Sequence, residues 1–368
     1  MVMNHTIKFF PLGNADTTLI KLESGKRILV DYANTKTDDP DDLRCDLPEE
    51  LNKDVINDHY DVVAFTHADM DHVQGFAEYF HLDHALKYQG EGRKKITDLW
   101  VPAQIILEEG CEDETRILRA EARYRLKAKY GIKVFSKPDK LKAWLEKEGV
   151  TFEDVKHLIV DAGKTVPGWG LENPEVEFFA HAPFAYTVDA DTEINRNDAC
   201  LILQASFTNL QKTKLLLLGD ADWQLLDHVI AASERFGNEH RLSWDIVHIA
   251  HHTSYLSLAP EKGKTITEPV GPVKKLFEEY ANEKPLLISP SCPVPDSYDT
   301  VQPPHKQAHN YYLSVAEAKD GELQVTMSFP HSRNPRPIEV VINNYGTTLL
   351  KTIAPAGFVT DRRAPKAG

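Results

Sequence analysis

The chain has 368 residues, enough for one large domain or two modest ones with a sizeable buried core. Its 42% hydrophobic and 27% charged residues are ordinary for a soluble globular protein, and no apolar run approaches the ~18 residues of a membrane span. The formal net charge of −14 argues against a chain that coats nucleic acid non-specifically, although it leaves room for a local basic groove.

In chain order, Thr6 to Phe10 reads as a strand, Pro11 to Asn14 as a turn, and Thr17 to Leu22 and Arg27 to Val30 as strands joined through Glu23 to Lys26. Thr37 to Asp42 is an acidic loop, and Asp61 to Phe65 is a short β-forming apolar run that reads as a buried strand. Glu112 to Tyr130 has helical periodicity, and Lys140 to Glu148 predicts a second helix stopping near Gly149. Within the first of these, Arg116, Arg119, Arg123 and Lys127 recur at spacings of three and four and form one helical face. Such a stripe can guide a phosphate backbone, or it can be a solvated face paired with acidic loops.

Strands return at Val176 to Ala180, Cys200 to Phe207 and Lys214 to Leu218, before a helix from Trp223 to Phe236 that stops at Gly237. Ile246 to Ala250 is another buried strand, followed by a polar loop, a helix from Val273 to Tyr280 and a strand from Leu286 to Ser289. The tail offers strands at Glu322 to Phe329, Ile338 to Ile342 and Thr347 to Ile353. This succession predicts a layered α/β sandwich forming a single domain over 1–368, with a helical insertion at about 76–150 and a β-rich C-terminal extension at about 320–355. The four cysteines, Cys45, Cys111, Cys200 and Cys292, stand far apart, and the first residues carry no basic region followed by an apolar stretch. A reduced, cytoplasmic setting without a membrane partner is the expectation.

One segment carries the chemistry. Thr66-His67-Ala68-Asp69-Met70-Asp71-His72 gathers two imidazoles and two carboxylates directly after an apolar strand. These are the groups that hold divalent cations such as Zn²⁺ and Mn²⁺. Alternation would put His67, Asp69 and Asp71 on one side of an extended segment, with His72 beginning the turn into a helix and reaching a second cation.

The segment resembles the His-x-His-x-Asp-His signature of the metallo-β-lactamase superfamily, with Asp69 where the second His usually stands. That replacement is similar to the hydrolase domain of the bacterial competence protein ComEC and its soluble relatives. Further stretches resemble that subgroup in the right order: Phe10 to Asp16, Ile28 to Asp31, Asn197 to Leu203, Leu217 to Ala221 and Val247 to Ser254. The resemblance implies a four-layer αββα sandwich and two divalent metal ions, Zn or Mn. It also implies Asp220 as the carboxylate shared between the metals, and one of His251 and His252 as a ligand with the other behind it or toward substrate. Asp71 would both bind metal and orient the nucleophile. Asp222 ranks below Asp220, and His248 and Cys200 read as core residues.

Some positions depart from the superfamily. The histidine of its third motif has no clear counterpart; the region offers Asn197 and Asp198, with His181 upstream, as metal-binding or supporting residues. The competence-protein subgroup also carries Asn there. A carboxylate at 69 makes the site harder and shifts preference toward Mn²⁺. Thr253 replaces the usual Gly after the His pair, and His305, in Pro303-Pro304-His305, is a surface histidine or a substrate contact. The functional expectation is a metal-dependent hydrolase acting on phosphodiesters or nucleic acid. The alternatives are a small-molecule ester, thioester, lactone or cyclic-nucleotide hydrolase, and a non-catalytic component of a larger complex that retains the metal fold.

Overall fold

The computed structural model describes residues 4–190 and 196–350. The chain first lays down β1 (His5–Phe9), β2 (Thr18–Lys21), β3 (Arg27–Val30), β4 (His59–Ala64), β5 (Lys95–Pro102), β6 (Ile132–Phe135) and β7 (Ile159–Val160). It then crosses to a second sheet with β8 (Lys164–Thr165), β9 (Val176–Ala182), β10 (Ile202–Phe207), β11 (Lys214–Leu217), β12 (Trp244–His248), β13 (Ala281–Ser289) and β14 (Glu322–Val325). Finally β15 (Ile338–Asn343) and β16 (Gly346–Leu349) return to the first. The sheet orders are β16-β15-β1-β2-β3-β4-β5-β6-β7 and β14-β13-β12-β11-β10-β9-β8. In each sheet an antiparallel part adjoins a parallel one, the change falling after β3 in the first and after β11 in the second.

Three apolar layers hold the sheets and helices together. Ile7, Phe9, Ile28, Val62, Trp100, Phe178, Leu203, Leu217, Ile246 and Val340 fill the space between the sheets. Leu19, Leu29, Val63 and Leu99 face the other way, toward Leu118, Ala122 and Leu126 of the helix Asp113–Ala128. Leu216, Val247 and Leu287 pack under the helices Trp223–Arg235, Gly271–Glu278 and Lys306–Ala318. The period-two alternation of each strand thus serves two cores at once, and the result is the four-layer αββα sandwich. Among the described residues, no helix is long and apolar enough to cross a membrane.

The segment 76–150 differs from a purely helical insertion. It supplies β5 and β6 to the first sheet, and its helices Ala103–Leu107, Asp113–Ala128 and Asp139–Lys147 cover that sheet. The tail is likewise divided, β14 closing the second sheet while β15 and β16 extend the first; residues 351–355 lie outside the described residues. The strand expected over Glu322 to Phe329 ends at Val325, where a 3-10 turn from Thr326 to Ser328 takes over.

Trp100 locks the two sheets together. It is fully buried on β5, with edge-on contacts at 5.3 Å to Phe178 of β9 and 6.1 Å to Trp169, and its indole N–H donates to Asp98 at 2.9 Å. Trp100→Ala is expected to destabilise the fold by about 3–5 kcal/mol, read as a lowered urea midpoint with an unchanged slope.

Candidate metal centre

The site forms where parallel strands end. Asp31 follows β3, Thr66 to His72 follow β4, Leu218 to Asp222 follow β11, and Ile249 to Ser254 follow β12. Cross-connections fix these loops: the Leu201 amide donates to Thr66 O at 2.8 Å, His251 to Gly219 O at 3.1 Å and Asp16 to Asp71 O at 3.0 Å. Gly219 has φ +53, and a β-carbon there would meet Thr66 Cβ at 3.0 Å, so the residue before Asp220 has no room for a side chain.

The expected alternation of His67, Asp69 and Asp71 stops at Asp69. Asp69 is the N-cap of a short helix, Met70–Val73, which turns Asp71 and His72 out of the extended register. Two donor sets result, and they meet at Asp220. Asp220 Oδ2 is 3.9 Å from His67 Nε2, 3.8 Å from His251 Nε2 and 3.7 Å from His252 Nε2; Asp220 Oδ1 is 3.2 Å from His72 Nε2. Asp69 Oδ2 stands 3.4 Å from His67 Nε2, while Asp71 Oδ2 stands 3.0 Å from His252 Nε2. Asp71, His72, Asp220 and His252 bring ligand atoms within 4.8 Å of one another, so of the two adjacent histidines it is His252 that joins this set. His251, 23% exposed, stands at the mouth on the His67 side.

The donor chemistry fits cations. His72 Nδ1 donates to Asp31 Oδ2 at 2.9 Å, and His252 Nδ1 to Pro290 O at 2.9 Å. His67 Nδ1 lies 3.1 Å from the Thr66 hydroxyl, which itself donates to Asp31 at 2.7 Å. Each imidazole is thereby held on one nitrogen and presents Nε2 to the centre, as neutral metal-binding histidines do. His67 Nε2, His72 Nε2 and Asp220 Oδ1 are buried and make no hydrogen bond, because the His72–Asp220 approach lacks the alignment for one. Burying them together is costly unless a cation or a proton lies among them. Asp71, His72, Asp220 and His252 fit a divalent metal.

Electrostatics without metal point the same way. Burial disfavours the imidazolium of His72, but Asp31 and Asp220 outweigh it and raise its pKa well above the usual value. Burial likewise opposes charge on His252, and Asp220, Asp71 and Asp16 raise it to about 9. Asp220 is driven the opposite way: burial would keep it neutral, yet His252 and His72 hold it well below the carboxylate range. Asp16, enclosed beneath these groups with both oxygens unpartnered, is pushed up to about 8 by burial. Without metal, the surroundings therefore favour protons on His72, His252 and Asp16.

Other sequence candidates lie elsewhere. Val176, Phe178 and Ala180 point between the sheets, so His181 is carried to the outer face of β9, beside Phe179, Phe184 and Val229. Burial lowers its pKa to about 3. Asn197 and Asp198 lie half-buried in the turn before Cys200, and from that turn Arg196 reaches Asp69. His305 is buried rather than on the surface. Its Nδ1 accepts from the Tyr255 amide at 3.4 Å, Nε2 meets Val301 O at 3.2 Å, and its amide donates to Thr253 O at 3.1 Å. It braces the loop that carries His251 and His252.

The basic stripe is largely neutralised within the chain. Arg119 and Arg123 both pair with Glu109, at 2.9 and 2.8 Å, and Lys127 pairs with Glu148 at 2.9 Å. Arg116 is exposed and has no carboxylate partner among the described residues. Asp31, Asp16, Thr66 and Arg196 were missed as site residues. Asp16 and Asp31 end two of the stretches that carried the resemblance, which was the available signal; Arg196 left none.

Neither a family model nor a curated protein matches the chain. Solved structures similar to it include the metallo-β-lactamase fold protein YhfI from Bacillus subtilis, at 11% identity and TM-score 0.42, covering 91% of this chain and 99% of that one. A diphosphatase of the PhnP family is similar at 10% identity and TM-score 0.33, covering 77% and 85%. Zn²⁺-bound PqqB from Methylobacterium extorquens follows at 8% identity and TM-score 0.34, covering 87% and 97%. At such low identity and superposition, the site stands on its own geometry.

The shifts of His252 and Asp16 set a pH dependence. A histidine raised from 6.5 to about 9 stabilises the fold fully below pH 6.5, and that contribution is lost as pH rises through about 9. A carboxyl raised from 3.8 to about 8 works in the same direction over its own window. In EDTA, the melting temperature is expected to fall as pH rises from 6 to 9, and saturating Zn²⁺ or Mn²⁺ should abolish most of that slope. A flat profile in EDTA would show that these groups do not carry protons in the metal-free fold.

Proposed function

We propose that the chain is a phosphodiesterase that works with two divalent cations sharing Asp220. The observation that carries the reading is the convergence of two donor sets, His67 with Asp69 and Asp71 with His72 and His252, on one buried carboxylate beside which His67 Nε2 and His72 Nε2 lack hydrogen-bond partners. Cations bound there supply Lewis acidity and lower the pKa of water, the two requirements for hydrolysis of a phosphate ester at neutral pH. Asp71, a third exposed and held by His252, orients the attacking water and accepts its proton. His251 stays neutral, since burial lowers its pKa, and offers its imidazole to a substrate oxygen at the mouth.

Two dications held there would offer Lewis-acidic positions to the oxygens of an anionic phosphodiester. A carboxylate-rich set also suits the harder cations that accompany phosphoryl chemistry. Nucleic acid as the particular substrate has less behind it, since Arg119, Arg123 and Lys127 are engaged internally and Arg116 alone of the stripe is left for a phosphate backbone.

The deciding experiment is hydrolysis of bis(p-nitrophenyl) phosphate, single- and double-stranded DNA and RNA by protein loaded with Mn²⁺ or Zn²⁺. His67→Ala and Asp71→Ala are each expected to lower kcat/KM by about 10²-fold or more, on the scale of losing a positioned proton acceptor. Inactivity of the fully loaded protein on every phosphodiester would overturn the reading. Turnover of a lactone or thioester instead would identify a small-molecule hydrolase, and inactivity throughout a non-catalytic role.

A further inference from the structure

Asp69 stands where the resembling signature carries histidine, and its carboxylate does not stand alone. One oxygen, Oδ2, faces His67 Nε2 at 3.4 Å, on the cation side; the other, Oδ1, is bound by the Arg196 guanidinium. Arg196 is itself fixed. Its Nε donates to both oxygens of Glu108 at 3.1 Å, and a terminal nitrogen donates to Ala68 O at 3.1 Å. Thr115, in the first turn of the helix Asp113–Ala128, donates to the same Ala68 carbonyl at 2.6 Å. The peptide between His67 and Asp69 is therefore clamped from two sides, and the arginine fork reaches the two carboxylates at once.

This arrangement resolves a difficulty in the donor set. An imidazole ligand is neutral and rigid, whereas a carboxylate brings a full negative charge and can bind through either oxygen. A guanidinium on Oδ1, itself anchored by Glu108, leaves Oδ2 as the ligand atom. We propose that Arg196 is a positioning residue that makes Asp69 a single-oxygen substitute for histidine at the first cation position. The inference rests on the two-cation reading of the centre but is independent of the substrate.

Metal titration of the full chain by calorimetry, with bound metal counted by elemental analysis, tests it without any substrate. Wild type is expected to bind two equivalents of Mn²⁺ or Zn²⁺. Arg196→Gln should weaken one equivalent by about 10–100-fold, the scale of losing a group that orients a ligand, while the other keeps its affinity. The double variant Asp69→His/Arg196→Gln should recover the lost affinity, since an imidazole needs no guanidinium to select its ligand atom. If Arg196→Gln folds poorly by circular dichroism, Arg196→Lys replaces it; that variant keeps the charge but loses the fork, and an intermediate loss is expected.

Unchanged affinity for both equivalents in the Arg196 variant would overturn the proposal. So would equal weakness of the double variant, because Arg196 would then serve only the fold of the loop, and so would a wild type that binds a single equivalent. Failure to hydrolyse phosphodiesters removes the proposed function and leaves this result untouched.

Discussion

Everything at the centre depends on the burial of Asp220 among imidazoles. Its side chain is 4% exposed, with His67, His72, His251 and His252 all within 4 Å. A carboxylate in that position is stable only when positive charge lies beside it, and the fold offers two sources, protons on the histidines or cations among them. The surroundings favour the second. Asp31, Thr66 and Pro290 occupy the far nitrogens of three imidazoles, so the near nitrogens face the centre, those of His67 and His72 without a hydrogen bond and that of His252 against Asp71. Left-handed backbone also occurs at this place. Asp31 has φ 57, and His251, His252 and Thr253 follow one another at φ 49, 52 and 67. A β-branched residue in the left-handed region is unusual, and here it stands where the resembling motif has glycine. Burial of Thr253, its hydroxyl contact with Ser289 and the hold of His305 on its carbonyl keep the turn in that form.

The parts of the site that could be read in the sequence were those in which ligand-type residues directly follow an apolar strand. His67 to His72, Asp220 and His251-His252 all do so, because a buried strand must end at the edge of the sandwich and whatever follows it is presented there. What could not be read was how the cluster divides. That depends on a helix starting at Met70, which separates Asp69 from Asp71, and on which rotation of the backbone at 251 and 252 turns His252 inward. His181 was misplaced although the strand pattern held the answer: with Val176, Phe178 and Ala180 inward, position 181 must face out. Its neighbour Phe179 obscured that alternation.

Other features depend on partners far away in sequence. The spacing of Arg116, Arg119, Arg123 and Lys127 defines a helical face but not what lies against it, and Glu109 and Glu148 come from other segments. Arg125, in the same run, is fully buried against Glu121 at 2.7 Å, which makes it part of the packing under the helix. The strands β5 and β6 alternate polar and apolar residues next to strongly helical stretches, so their place in the first sheet emerges only from pairing with β4. A layered α/β sandwich was legible from the succession of strands and helices, and its four-layer αββα form from the resemblance; the contents of 76–150 were not, because they need the register.

The two donor sets do not belong to one sheet. His67, Asp69, Asp71 and His72 follow β4 of the first sheet, while Asp220, His251 and His252 follow β11 and β12 of the second. A cation held by Asp71, His72, Asp220 and His252 would therefore join the two sheets, adding to links such as the Leu201 amide to Thr66 O, Arg196 to Asp69 and His252 to Asp71. Binding free energy at such a place is also free energy of sheet closure, because an unfolded chain holds no preformed site. The same geometry explains why the apolar contacts of Trp100, deeper between the sheets, matter to the chemistry. They hold the sheets at the spacing at which Asp220 stands 3.9 Å from His67 Nε2 and 3.2 Å from His72 Nε2, so a sandwich that opened there would part Asp220 from both.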